Sequence, residues 1–126
     1  MKTLQVGIAS YEEMKARTLA IVKGKYKPAS DEPKVWFTSA ESFARILSNP
    51  NRALLRIIGE SSPESLTELA KLTGRKKSNL SRTLKTMERY GLLRLRTGAR
   101  GKLIPRVQYE RISLTLSLSK VRRRIP

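Results

Sequence analysis

The sequence predicts a mainly α protein of the α+β class, with a row of short helices, a β-hairpin after them and a strand-helix arm in front. Three observations carry this. Helix-start signals recur along the chain at Ser10 with Glu13, Thr38 with Glu41, Asn49-Pro50 and Ser65 with Glu68, each a polar acceptor followed by a residue suited to a first helical turn. Between Leu66 and Met87 the apolar residues recur at spacings of three and four, which is the helical period. Beyond Gly91 the period changes to strand-like runs on either side of a glycine-containing turn. A chain of 126 residues with 39% hydrophobic content has the size of one domain and can cover one modest core.

Taken in order, Leu4, Val6 and Ile8 alternate as a strand, and a helix from Tyr11 to Lys23 follows the Ser10 cap and stops at Gly24. Lys25 to Lys34 holds two prolines and a Ser-Asp-Glu cluster, the composition of a linker. Val35, Trp36 and Phe37 are extended. Thr38 and Glu41 then open a helix through Phe43, Ile46 and Leu47, and Asn49 caps the next, with Pro50 in its first position and an end at or soon after Gly59. Ser65 caps a short helix ending at Gly74, and a further helix starts between Lys76 and Ser78 and runs to Tyr90. Leu92 to Arg96 and Leu103 to Val107, the latter interrupted by Pro105, form the hairpin around Thr97 to Lys102. Ile112, Leu114, Leu116 and Leu118 alternate with Ser and Thr as a half-buried strand, paired either with the N-terminal strand or across a dimer. The chain divides accordingly into an arm (1–34), a domain (35–118) and a basic tail (119–126).

Composition narrows the chemistry. Lys and Arg number 27 against 10 Asp and Glu, a net charge of +17, and neither His nor Cys occurs. Imidazole bases, thiolate nucleophiles, disulfides and ordinary zinc ligands are therefore excluded, and an enzymatic role is not expected. No metal or cofactor is expected. The apolar runs are far shorter than the ~20 residues of a membrane span, so no membrane association and a cytoplasmic location are expected. Residues 71–126 hold seventeen basic and two acidic residues, whereas residues 39–70 hold three and four. The excess is thus confined to a half of the chain that keeps regular apolar spacing, which argues for a folded polyanion-binding surface.

The helices on either side of Gly74 have the form of a helix-turn-helix. Ala70, Gly74 and Leu80 place a small residue at the helix approach, a glycine in the turn and a bulky residue locking the second helix onto the first. An ordinary helical hairpin shares that spacing, so the polar face decides. With Leu80 pointing inward, Ser78, Arg82, Lys85 and Arg89 point outward. Asn79, Ser81, Thr83 and Thr86 flank them, and Arg75, Lys76 and Lys77 cluster at the helix start. Glu88 is the one acid of this helix, whereas a merely solvated face mixes Glu with Lys. The candidate recognition residues are therefore Arg75, Lys76, Lys77, Ser78, Asn79, Ser81, Arg82, Lys85, Thr86 and Arg89, suited to phosphates and base edges in a major groove. Arg96, Arg100 and Lys102 at the hairpin tip suit flanking phosphates or a minor groove, and Lys120 to Arg124 either adds sequence-independent attraction or does nothing specific.

The order helix, helix-turn-helix, hairpin resembles the winged helix-turn-helix regulators of the MarR-like type. More closely, VGIASYEEMKART, PKVWFTSAESFARILS, NRALLRII and LTELAKLTGRKKSNLSRTLKTMERYGLL resemble a group of small prokaryotic regulators that includes antitoxins of TumE/TumA-type modules. The resemblance covers residues 1 to about 118, and the basic end lies outside it. It implies a DNA-binding protein that represses its own promoter, with or without sequestering a cognate toxin, and places Lys77, Ser78, Asn79, Ser81, Arg82 and Lys85 in the recognition segment; the helix-turn-helix spacing and the charge of the C-terminal half themselves point to a homodimeric, sequence-specific double-stranded-DNA binder. The competing reading is a non-specific architectural or RNA-associated basic protein. Against single-strand recognition, the two Phe, one Trp and four Tyr fall in no stacking motif.

Overall fold

The computed structural model describes residues 2–118, so the expected basic tail, 119–126, lies outside the described residues. Its elements are β1 (Thr3–Ile8), α1 (Tyr11–Val22), β2 (Val35–Phe37), α2 (Ala40–Ile46), α3 (Asn49–Ser61), α4 (Leu66–Thr73), α5 (Lys77–Arg89), β3 (Arg94–Thr97), β4 (Leu103–Arg106) and β5 (Arg111–Thr115). A winged helix-turn-helix results, with α4 and α5 as the paired helices and β3–β4 as the wing.

Serine side chains open four of the five helices. Ser10 and Glu13 form the expected reciprocal capping box, and the Ser65 hydroxyl accepts from the Glu68 amide at 3.1 Å. Two other caps fall one residue away from their expected places. Ser39, not Thr38, caps α2 by accepting from Ser42 N at 3.0 Å, which moves Glu41 out of the position a capping box requires. Ser48, not Asn49, caps α3, and the Asn49 carboxamide instead accepts from Arg52. Helix α3 ends at Ser61, two residues after Gly59 and so within the expected range. Gly59 faces open space and merely weakens the helix, whereas left-handed Ser62 followed by Pro63 ends it.

The core is one cluster. Leu54 and Ile58 of α3, Leu69 of α4 and Leu80, Leu84 and Met87 of α5 are all within 1% of full burial, and each such side chain contributes roughly 1.5 to 3 kcal/mol through removal from water. Leu92 and Leu93 belong to this core, so β3 starts at Arg94 rather than at the expected Leu92. The chain reaches them through a tight helix exit. Gly91, at φ 76°, donates to the Glu88 carbonyl, and Leu92 donates to that of Met87.

The N-terminal segment is built into the same body. β1 is the central strand of a parallel sheet ordered β2-β1-β5, with Val6 beside Val35 and Leu114, and Leu4 beside Ile112. Of the two pairings open to the last strand, the described chain adopts the one with the N-terminal strand. β5 ends at Thr115, opposite Gly7, so the alternating pattern runs on past the ladder and leaves Leu116 and Leu118 exposed. Leu4 joins the helical core, and Phe37 of β2 stacks on Tyr90 at 4.6 Å and meets Phe43 edge-on at 5.2 Å. The sheet thereby grips the C-terminal end of α5. On its other side Arg17 of α1 lies over the Trp36 and Tyr26 rings and pairs with Glu32 at 3.0 Å, which fastens the 25–34 segment.

Candidate nucleic-acid interface

Helix α4 ends at Gly74, whose φ of 73° any other residue would adopt only with strain, and its amide donates to the Ala70 carbonyl at 2.8 Å. The chain turns there through Arg75 and Lys76 into α5, whose start carries no side-chain cap, unlike those of the other four helices. The first-turn amides of α5 are thus left without a side-chain acceptor, a setting that favours anions.

Burial of Leu80, Leu84 and Met87 turns the opposite face of α5 to solvent. Lys76, Lys77, Ser78, Asn79, Arg82, Lys85 and Arg89 are exposed, and Ser81, Thr83 and Thr86 are half-buried on the flanks. Among the described residues the only ion pairs are Arg17–Glu32 and Arg106–Glu64. The cations of α5 therefore have no carboxylate partner within the described chain. Thr86 is tied to its own helix, donating to the Arg82 carbonyl and accepting from Arg89 at 3.2 Å.

Arg75 is placed differently from its neighbours. It is half-buried and turned back along the helix, donating from Nε and Nη2 to Asn79 Oδ1 at 3.0 and 2.7 Å and from Nη2 to Thr83 Oγ1 at 3.3 Å. A longer bond of 3.5 Å runs from Nη1 to Asn51 Oδ1, while Asn51 Nδ2 donates to the Ile46 carbonyl at 3.0 Å. A chain of hydrogen bonds thus links the α2–α3 junction to the exposed face of α5. An open cleft of about 230 Å³ lies beside it, walled by Arg45 and Ile46 on one side and Asn79 and Arg82 on the other.

The wing is an antiparallel pair with Arg94 opposite Arg106 and Thr97 opposite Leu103. Its orientation is set by contacts with the helices. Glu88 Oε2 accepts from the Leu95 amide at 3.0 Å, so that amide points to α5 and away from β4. Pro105, which lies opposite Leu95 and has no N–H, therefore costs the ladder no bond. On the return strand Arg106 donates to the Pro63 carbonyl at 2.8 Å and to Glu64 at 3.0 Å. The wing tip contains a short 3-10 turn, Ala99–Gly101, and leaves Arg96, Arg100 and Lys102 exposed, with Arg100 left-handed at φ 60°.

Of the expected residues, the structure exposes Lys76, Lys77, Ser78, Asn79, Arg82, Lys85 and Arg89 at and along α5 and Arg96, Arg100 and Lys102 on the wing, leaves Ser81 and Thr86 half-buried and folds Arg75 onto Asn79, and it adds Asn51, Arg45, Glu88 and Arg106 around them. Arg45 and Arg106 had no sequence signal beyond their charge. Glu88 had one, as the single acid on an otherwise cationic helix, and Asn51 had only its position near a helix start. Among the described residues no group of three acidic or metal-ligating side chains could hold a metal ion, and no helix is long and apolar enough to cross a membrane.

A family profile described as HVO_A0114 matches residues 46–114, the span from the end of α2 through the helix-turn-helix and wing into β5. Among solved structures, the chain is similar to a predicted DNA-binding transcriptional regulator from E. coli, with a TM-score of 0.46 and 23% identity over 75% of this chain and 84% of that one. No curated protein matches the chain.

Proposed function

The chain belongs to the HVO_A0114 family, and from the surface its matched segment carries we propose that it is a sequence-specific double-stranded-DNA-binding transcriptional repressor. The carrying observation is the outer face of α5, where Lys76, Lys77, Arg82 and Lys85 are exposed without an acidic partner among the described residues, beside polar Ser78, Asn79 and Ser81. A helix of this width enters a major groove, where Arg and Asn read base edges and Lys holds phosphates. The wing tip supplies Arg96, Arg100 and Lys102 to the flanking backbone.

Binding to the DNA upstream of its own gene, compared with a scrambled duplex at fixed salt, tests this reading. Tighter binding to the upstream duplex supports it, and equal affinity for both assigns the protein to non-specific nucleic-acid binding. The protein acts as a homodimer in this reading, because α1 buries none of its residues and exposes Tyr11, Leu19 and Val22, and Leu116 and Leu118 are exposed beyond β5. A monomer by light scattering at micromolar concentration overturns it. The MarR-like affiliation and the antitoxin setting rest on the sequence resemblance alone, and a toxin partner is tested by co-purification with the product of an adjacent small reading frame.

A further inference from the structure

Resting on the placement of α5 in the groove, we propose that Arg75 is a positioning residue, held by Asn51, that fixes Asn79 as a hydrogen-bond donor only and so denies it the paired contact to adenine. A guanidinium has donors and no acceptor, so the atom of Asn79 that faces Arg75 is its oxygen, and the carboxamide orientation is settled by chemistry. That oxygen takes two bonds, from Nε at 3.0 Å and Nη2 at 2.7 Å, and both of its lone pairs are engaged. The Asn79 amide nitrogen is left with both hydrogens for an external partner. Asn51 is oriented by the same logic, because its Nδ2 donates to the Ile46 carbonyl and its oxygen must then face Arg75. Arg75 is thereby held from two elements, α3 and α5, and is directed along the protein surface instead of out toward a phosphate.

The paired adenine contact of an Asn needs its oxygen to accept from N6 and its nitrogen to donate to N7. Asn79 can do only the second. It therefore accepts guanine, which offers two acceptors, or thymine O4, takes adenine through N7 alone, and rejects cytosine, which offers only a donor in the major groove. The sequence pattern places Asn79 on the recognition helix, but only the contact with Arg75 tells which half of its amide is available.

Base preference is measured with a panel of duplexes varied singly at each position of the bound site, for the wild-type protein and for Asn79→Ala, Arg75→Ala and Arg75→Lys. Asn79→Ala identifies its base position as the one whose preference flattens. At that position the wild type discriminates against cytosine without selecting adenine. Arg75→Ala frees the oxygen and raises adenine over guanine and thymine by roughly 5- to 150-fold, the range a paired base contact supplies. Arg75→Lys keeps the charge and a donor but not the fork that engages both lone pairs, and shows a smaller shift in the same direction. Wild-type selection of adenine there overturns the proposal. So does a loss for Arg75→Ala that is uniform across sequences, restored by Lys and accompanied by a fall of about one in the salt slope, since that marks a phosphate contact.

A second measurement separates the relay from the function. In the DNA-free protein the Arg75 Nε–H resonance exchanges more slowly with water than that of exposed Arg82, and Asn79→Ala speeds it. Equal exchange at Arg75 and Arg82 overturns the relay whatever the DNA data show. An intact relay in a protein without base preference overturns the groove placement, and with it the donor-only reading of Asn79.

Discussion

Replacing Arg96, Arg100 and Lys102 together with Ala removes three exposed cations from the wing tip while leaving Ile104 and Pro105, which anchor the hairpin in the core, untouched. None of the three has an ion-pair partner among the described residues, so no internal charge is orphaned. Arg100 already has left-handed backbone, and Ala there introduces no new strain. If each cation meets one phosphate, the fall of log K with log salt becomes shallower by about 2.7 per protomer, at about 0.9 per phosphate on B-form DNA. Over a fourfold rise in salt this slope difference amounts to roughly 1.6 decades of affinity. Fluorescence-anisotropy titrations of the upstream and scrambled duplexes across a salt series read it directly. Both duplexes lose affinity alike, and their ratio is preserved, because phosphate contacts carry no direct sequence information. An unchanged slope places the wing off the DNA and refutes the interface as drawn. A loss confined to the upstream duplex refutes the backbone role and makes the wing a base reader.

Three further outcomes are expected. Arg82→Ala, at the centre of the outward face of α5, weakens binding to the upstream duplex by about 1 to 3 kcal/mol and relaxes preference at one base position, and equal losses on upstream and scrambled DNA contradict base readout. Leu80→Ala, fully buried between the paired helices, lowers unfolding stability by about 2 to 5 kcal/mol in urea titrations, whereas a loss well under this range contradicts the packing described. Glu88→Ala removes the acceptor of the Leu95 amide, so hydrogen exchange at Leu95 accelerates while Glu88→Gln, which retains an acceptor oxygen, largely restores protection; unchanged exchange in the Ala variant removes Glu88 from wing positioning.

What could be read in the sequence was what depends on near neighbours in the chain. The inward stripe of Leu80, Leu84 and Met87, the turn at Gly74 and the outward cations of α5 follow from the helical period and from backbone sterics. The one-residue shifts of the caps of α2 and α3 arise because adjacent polar residues, Thr38 and Ser39 or Ser48 and Asn49, are both competent acceptors, and packing chooses between them. Long-range partners were illegible for a different reason. Arg75 and Asn51 are 24 residues apart and Arg106 and Glu64 are 42 apart, and no local period links them. The pairing of β1 with β5 is a closure across almost the whole chain, so the alternating pattern offered it only as one of two partners and did not give its parallel sense.

A +17 chain has to keep its few carboxylates from neutralising the surface that needs the charge, and the placement of the acids answers that requirement. Glu13 closes the cap of α1, Glu32 holds Arg17 and Tyr26, Glu64 holds Arg106, Glu68 accepts from the Glu64 amide, and Glu88 holds the Leu95 amide. None of these five acids bonds an outward cation of α5, and two of them act on the wing: Glu88 ties β3 to α5 and Glu64 ties β4 to the turn before α4. Those acids orient the second cationic element relative to the first. Were they instead paired with Arg82 or Lys85, the net charge would be the same while the interface lost both its free cations and its fixed geometry. Net charge alone therefore says little about binding here; the division of labour between acids that position and cations left free is what turns an excess of charge into a directed surface.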